Sequence, residues 1–126
     1  VVLDCLVFRN PACAGLVDAL GHTVAWLTTG SMRAELAHVL GRGLGARWPT
    51  EPARVLAFFD SRSRVEPEPP RSRLACADAS DQVFIDLAVA HRAVLLTRDR
   101  ALMKLARRAT LHGVAVTTPE GWPIAR

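Results

Sequence analysis

Asp78-Ala-Ser-Asp81-Gln-Val-Phe84-Ile-Asp-Leu-Ala88, followed after a short gap by Val94-Leu-Leu-Thr97-Arg-Asp99, is the stretch that decides the fold. Val83, Phe84, Leu87, Ala88 and Ala90 recur at helical spacing and give one apolar face. Asp78 and Asp81 stand three residues apart ahead of that face, as a helix cap and its partner do in a capping box. Ala93 to Thr97 is a short apolar run of the kind that forms a core strand, and Asp99 follows it at the start of a second helical segment. That segment, Arg100 to Ala109, is basic. Val114 to Thr118 then reads as a last strand, which Pro119 ends.

The alternation continues upstream. Val1 to Phe8 reads as a buried strand bounded by Asn10-Pro11, with a helix opened by Pro11, carrying Leu16, Val17 and Leu20, and stopped by Gly21. His22 to Thr28 reads as a second strand, and Thr28 to Ser31 as a turn that offers helix caps. From Met32, the apolar residues Leu36, Val39 and Leu40 predict a helix that Gly41, Gly43 and Gly45 end. Residues 50–60 begin with Thr50, Glu51 and Pro52, a helix start. Ser61 to Arg73, with Pro67, Pro69 and Pro70, is expected to be an ordered loop with a brief strand near Val65. Strand and helix in alternation predict a three-layer α/β/α fold with a mostly parallel central sheet.

The chain has 126 residues, half of them hydrophobic, which predicts a single domain spanning 1–126. No apolar run approaches the roughly 20 residues of a membrane span. The opening apolar stretch is short and interrupted by Asp4 and Arg9, unlike a secretory signal. Cys5, Cys13 and Cys76 are odd in number and lack CxxC spacing, which argues against a disulfide framework or a zinc site. Cys5 and Cys76 are expected to be buried thiols, and a reducing cytoplasm is the expected compartment. The formal charge of +4 is compatible with a polyanionic partner. With no Tyr and few aromatics, a base-stacking platform has little support.

Four acids lie at the edges of the apolar segments: Asp4, Glu35, Asp81 and Asp99. Strand C-termini and helix N-termini share one edge of a parallel sheet, where α/β proteins place their ligands. Carboxylates gathered there repel one another and raise one another's pKa unless a cation completes the cluster. Hard divalent ions take oxygen ligands, and Mg²⁺ keeps several waters that outer carboxylates can hold. Such a site activates water and offsets the charge that builds on a phosphate during in-line attack. Each acid also has an ordinary reading: Asp4 ending a strand, Glu35 early in a helix, Asp78 and Asp81 as a cap pair, Asp99 as a cap. Thr97 is placed to donate a hydrogen bond that orients a carboxylate.

In these motifs the chain resembles the PIN-domain ribonucleases, particularly small members that act as toxins of toxin–antitoxin systems. The likeness extends over essentially the whole chain. Asp78 to Ala88 is similar to the family's acid-rich helix start, and Val94 to Leu102 to its strand ending in Thr-x-Asp and the helix that follows. Val2-Leu-Asp4 is similar to its opening strand, Ser31-Met-Arg-Ala-Glu35-Leu to the helix of the second acid, and Val116-Thr-Thr-Pro119-Glu120 to its closing strand and turn. The resemblance implies Mg²⁺- or Mn²⁺-dependent cleavage of RNA by Asp4, Glu35, Asp81 and Asp99. Asp4 and Asp99 would hold the metal most directly, Glu35 and Asp81 its waters, with Asp78 as an outer acid. It also implies an antitoxin protein as partner and a homodimer. One departure matters: where the family's first strand reads Asp-Thr-Asn or Asp-Ser-Asn, this chain has Asp4-Cys5-Leu6. The missing hydroxyl and carboxamide remove support for the cluster, so metal binding is expected to persist more readily than full activity.

Arg98, Arg100, Lys104, Arg107 and Arg108 cluster beside the last acid, either as a solvated helix face or as a phosphate-contacting rim. Trp26, Trp48 and Trp122 read as core or interface residues. His22, His38, His91 and His112 are scattered without ligand spacing. Gly41, Gly43 and Gly45 follow a helix rather than a strand, the wrong context for a phosphate loop. Two function classes follow: a metal-dependent ribonuclease, and a non-catalytic PIN-like module that binds RNA or a protein. A phosphatase-like hydrolase is disfavoured, because no second acid stands two residues after Asp4.

Overall fold

Trp26–Thr28 (β1) and Ser63–Val65 (β2) pair in parallel, Trp26 opposite Ser63 and Thr28 opposite Val65. The computed structural model describes residues 18–19, 24–42 and 51–121. The described chain divides into two compact units, one ending at Pro67 and one beginning at Glu68.

In the first unit, the crossover between the parallel strands carries two helices, Gly30–Arg42 (α1) and Pro52–Arg62 (α2). α1 starts two residues before the expected Met32 because Thr29 caps it: its Oγ1 accepts from Met32 N–H at 3.2 Å and its carbonyl from Arg33 N–H. Pro52 opens α2, where its missing N–H leaves no intrahelical bond unmade. α2 buries Val55 and Phe59, four residues apart on one face. Phe59 meets the Trp26 ring edge-on, with centroids 4.7 Å apart, which makes Trp26 a packing residue. Arg33 on α1 holds Asp60 on α2 through two 2.8 Å bonds, a bidentate fork that fixes the mutual rotation of the helices. That fork keeps the Asp60 carboxyl below its usual range. The strand expected near Val65 is β2, and Glu66 N–H extends its ladder to Thr28 O at 2.7 Å.

The second unit opens with residues 68–78, which form neither helix nor strand. A 3₁₀ turn, Ala79–Asp81, leads into Gln82–His91 (α3). α3 ends on Arg92 in the left-handed conformation, φ 49°, beside Gly113 at φ 75°. At φ 75° an L side chain is strained, which favours glycine at position 113, although a Cβ there would only touch the Arg92 side chain at 3.4 Å. Val94–Leu96 (β3) and Ala115–Thr117 (β4) pair in parallel, Leu95 opposite Val116. Leu74, Ile85, Ala88, Leu102, Leu105, Ala109, Val114 and Val116 form the core of this unit. Parallel strand pairs joined by helical crossovers make the chain α/β.

The single helix expected over Arg100 to Ala109 is broken into Arg100–Met103 (α4) and Ala106–Ala109 (α5). At the break, Leu105 N–H bonds to Leu102 O, a tighter i−3 step. Leu102 and Leu105, three apart, are both buried. The strand at Val1 to Phe8, the helix from Pro11, and Trp48, Trp122, Cys5, Cys13 and His22 lie outside the described residues.

A buried polar network ties residues 72–76 to α3. Gln82 Nε2 donates to Leu74 O at 2.9 Å and to Asp86 Oδ1 at 2.8 Å, and its Oε1 accepts from Cys76 N–H at 2.7 Å. Asp86 Oδ1 also accepts from the Ser72 N–H and hydroxyl, both at 2.9 Å. Replacing Gln82 by leucine removes three hydrogen bonds and strands buried partners, each loss costing about 1–3 kcal/mol. Gln82→Leu is therefore expected to lose about 3 kcal/mol in urea denaturation, and a loss below about 1 kcal/mol would show that the network does not anchor the loop.

Candidate active site

Asp78, Asp81 and Asp99 all belong to the second unit, and each opens a helical turn. Asp78 caps the 3₁₀ turn: its Oδ1 accepts from Ser80 N–H at 2.9 Å and from the Ser80 hydroxyl at 2.8 Å. Those bonds, the hydroxyl's first, hold its carboxyl below the usual range. Asp81, at the head of α3, makes no side-chain cap bond, so the pair is not a closed capping box. Asp99 caps α4, its Oδ1 accepting from Ala101 N–H at 2.7 Å. Thr97 is buried, and it acts on the backbone rather than on a carboxylate: its Oγ1 accepts from Asp99 N–H at 3.0 Å. The strand end and the helix start are thus clamped on either side of the Asp99 carboxylate.

These acids feel one another. Burial pushes the half-buried Asp81 carboxyl up, and the charges of Asp78 and then Asp99 push it further. Asp81 makes no cap hydrogen bond at the head of α3, and among the described residues no hydrogen bond offsets that repulsion. The donor set is all oxygen, which suits a hard divalent cation. Asp78 and Asp99 each commit Oδ1 to a cap and keep Oδ2 for another ligand. Among the described residues, no three acidic, His or Cys groups close into a metal cage. Asp4 lies outside the described residues, and Glu35 is exposed on α1 in the other unit.

Arg98, Arg100, Lys104, Arg107 and Arg108 are all exposed. The break between α4 and α5 means that the i, i+4, i+7 spacing of Arg100, Lys104 and Arg107 no longer defines one helical face. Arg98 pairs with Glu120, Nη2 to Oε1 at 2.6 Å, which holds the Glu120 carboxyl low. His38 and His91 are exposed and His112 half-buried. Cys76 is half-buried against the core and makes no disulfide. The sequence reading assigned no role to Gln82, Asp86 or Glu120. A Gln and an Asp four apart on the apolar side of a helix was the available signal for the first two.

Asp81 and Asp78 make opposite contributions to pH dependence. Folding raises the Asp81 pKa, so its charged form is disfavoured in the folded state, and stability falls as pH rises through the carboxylate range. Folding lowers the Asp78 pKa, so its contribution is present above the unfolded value and is lost as pH falls. In chelator-treated protein, Asp81→Asn should therefore gain stability relative to wild type between pH 3 and pH 7, and Asp78→Asn should lose it. Urea titrations at the two pH values check the signs, and an Asp81→Asn variant that loses ground towards pH 7 contradicts the repulsion.

No helix among the described residues is long and apolar enough to cross a membrane. No curated protein and no solved structure matches the chain. A sequence model described as the PIN domain matches residues 1–101, which reaches into both compact units and takes in all four acids of the expected cluster and the Thr97–Asp99 strand end. By that match over most of its length, the chain belongs to the PIN-domain family.

Proposed function

We propose that this chain is a metal-dependent endoribonuclease that hydrolyses RNA phosphodiester bonds, with Asp4, Glu35, Asp81 and Asp99 as the acids of its site. PIN domains are typically nucleases and generally use divalent metal ions. The observation that carries the reading is Asp81: half-buried, without a hydrogen-bond partner among the described residues, and pushed up first by burial and then by the charges of Asp78 and Asp99. A carboxylate in that setting gains from a cation beside it.

In this reading Asp4 and Asp99 would hold Mg²⁺ or Mn²⁺, Glu35 and Asp81 would hold its waters, and Asp78 would be an outer acid. The ion would supply a polarised water and a positive charge against the phosphate oxygens. Asp99 is pre-set for its role, since the Thr97 hydroxyl and the Ala101 N–H fix its backbone and one carboxylate oxygen. Asp81 orients the attacking water and accepts its proton. A water oxygen–phosphorus bond forms, the bond to the leaving ribose oxygen breaks, and the leaving oxygen takes up a proton. Arg98, Arg100, Lys104, Arg107 and Arg108 contact phosphates of the strand.

The resemblance further supports an antitoxin partner, a homodimer and a cytoplasmic setting. A single domain over 1–126 remains part of the proposal, supported by a family match that runs from the first unit into the second. Leu6, where the family carries Asn, favours a second reading: a PIN-like module that binds metal and RNA, or a protein partner, without efficient cleavage.

Two measurements separate the readings. With Mn²⁺ supplied, wild type should cleave single-stranded RNA about 100-fold faster than Asp99→Asn, and equal rates would end the nuclease reading. Mn²⁺ should raise the Tm of wild type and leave that of Asp99→Asn unchanged, since an ion that binds only the folded chain at 100 times its Kd adds about 2.7 kcal/mol. A Tm rise without cleavage identifies the non-catalytic module.

A further inference from the structure

The edge that carries Asp99 also carries an ion pair. The β3–β4 ladder closes where Thr97 N–H donates to Thr117 O at 2.9 Å, so the residues that follow both strands leave from one edge. Arg98 follows β3, between buried Thr97 and Asp99; Glu120 follows β4, in the turn that ends at Gly121. The turn is held by Gly121 N–H, which donates to Thr118 O at 3.1 Å and to Thr118 Oγ1 at 3.2 Å. A Cβ at residue 121 would lie 2.5 Å from Thr117 Oγ1, so glycine is needed for this close approach. The backbone that presents Glu120 is therefore fixed.

Arg98 Nη2 and Glu120 Oε1 are 2.6 Å apart, with side chains 34% and 44% exposed. At that exposure the pair is weak, and another anion can take the guanidinium. Arg100, Lys104, Arg107 and Arg108 make no ion pair among the described residues, so Arg98 differs from the other four bases of the rim. A guanidinium suits a phosphate as well as a carboxylate, because its planar fork matches both. In the free chain the carboxylate has it.

We propose that Glu120 is a built-in competitor for Arg98: a nucleic-acid phosphate must take the guanidinium from Glu120, and that exchange weakens the hold on polyanions beside Asp99. The inference rests on the nuclease reading and adds to it a residue that tunes affinity. Phosphates held by Arg100, Lys104, Arg107 and Arg108 meet no such competitor among the described residues. The strand therefore attaches first along the basic segments and engages Arg98 last, next to the acids.

The test is a double-mutant cycle read by fluorescence anisotropy, with a short labelled oligouridine, chelator present so that nothing is cleaved, and one fixed salt concentration. Glu120→Gln keeps the shape and removes the charge, and circular dichroism checks that each variant is folded. Glu120→Gln should tighten binding about fivefold, the scale of an exposed ion pair, and Arg98→Gln should weaken it. In the Arg98→Gln background, Glu120→Gln should change Kd by less than about twofold. An unchanged Kd for Glu120→Gln, or the same tightening with and without Arg98, overturns the exchange while leaving the nuclease reading intact. If wild type and all three variants fail to hold the oligonucleotide, the nucleic-acid reading falls, and the inference with it.

Discussion

The second unit depends on one carboxamide. Gln82 bonds Leu74 O, Cys76 N–H and Asp86 Oδ1 at once, with its side chain in the core. Glutamine suits the position because it offers donors and an acceptor on one short plane, and each end here has a backbone partner. Residues 66–78 have no helix or strand to satisfy their backbone, and Pro67, Pro69 and Pro70 bring no N–H. Gln82 and Asp86 supply the missing partners from the first turns of α3. The loop is thus fixed against the helix just before Asp78, so the caps of both turns start from a defined place. Asp86 is a buried carboxylate satisfied by three donors on one oxygen, a cost accepted only with such partners.

The acids show a division of labour. Asp78 and Asp99 spend one oxygen each on helix caps, which makes their presence inexpensive to the fold. Asp81 has no such compensation and bears the repulsion of both neighbours. A purely structural role would favour Asn or Ser at that helix start, since either caps without a charge. Asp at 81 is the choice that costs stability in the absence of a cation, and residues that break a local rule in this way are expected at functional sites.

Local chemistry was legible in the sequence where it depended on residues close together. The Asp99 cap, the Asp78 cap, the brief strand at Val65 and the proline-opened helix at Pro52 all follow from neighbours within four positions. The break between α4 and α5 was not, because Arg100 to Ala109 contains no Gly or Pro to mark it. Leu102 and Leu105, three apart, would share one face of an unbroken helix as well, so their burial does not by itself explain the break. Thr97 was recognised as a support, but its hydroxyl serves the Asp99 N–H rather than a carboxylate, a distinction set by the backbone turn after β3. Gln82 and Asp86 were given no role, since a buried network shows itself only when the loop that completes it is in place. Glu35 was correctly placed on a helix, whereas the convergence of acids far apart in sequence is a matter of topology rather than of pattern.

A cluster of carboxylates poses an electrostatic problem for any nuclease: the acids that would hold the metal also repel the substrate. At physiological salt an exposed charge acts over about 8 Å, so attraction has to come from bases close to the acids rather than from the net charge of the chain. Arg98 and Arg100 flank Asp99 directly in sequence, and Lys104, Arg107 and Arg108 continue from it on exposed surface. The excess of +4 is thus less informative than its distribution. On the proposed nuclease reading, a strand drawn to the α4–α5 segment would be brought to the Asp99 end of β3. The acids and the bases around the end of β3 would then serve one task, the bases gathering the phosphates that the acids alone repel.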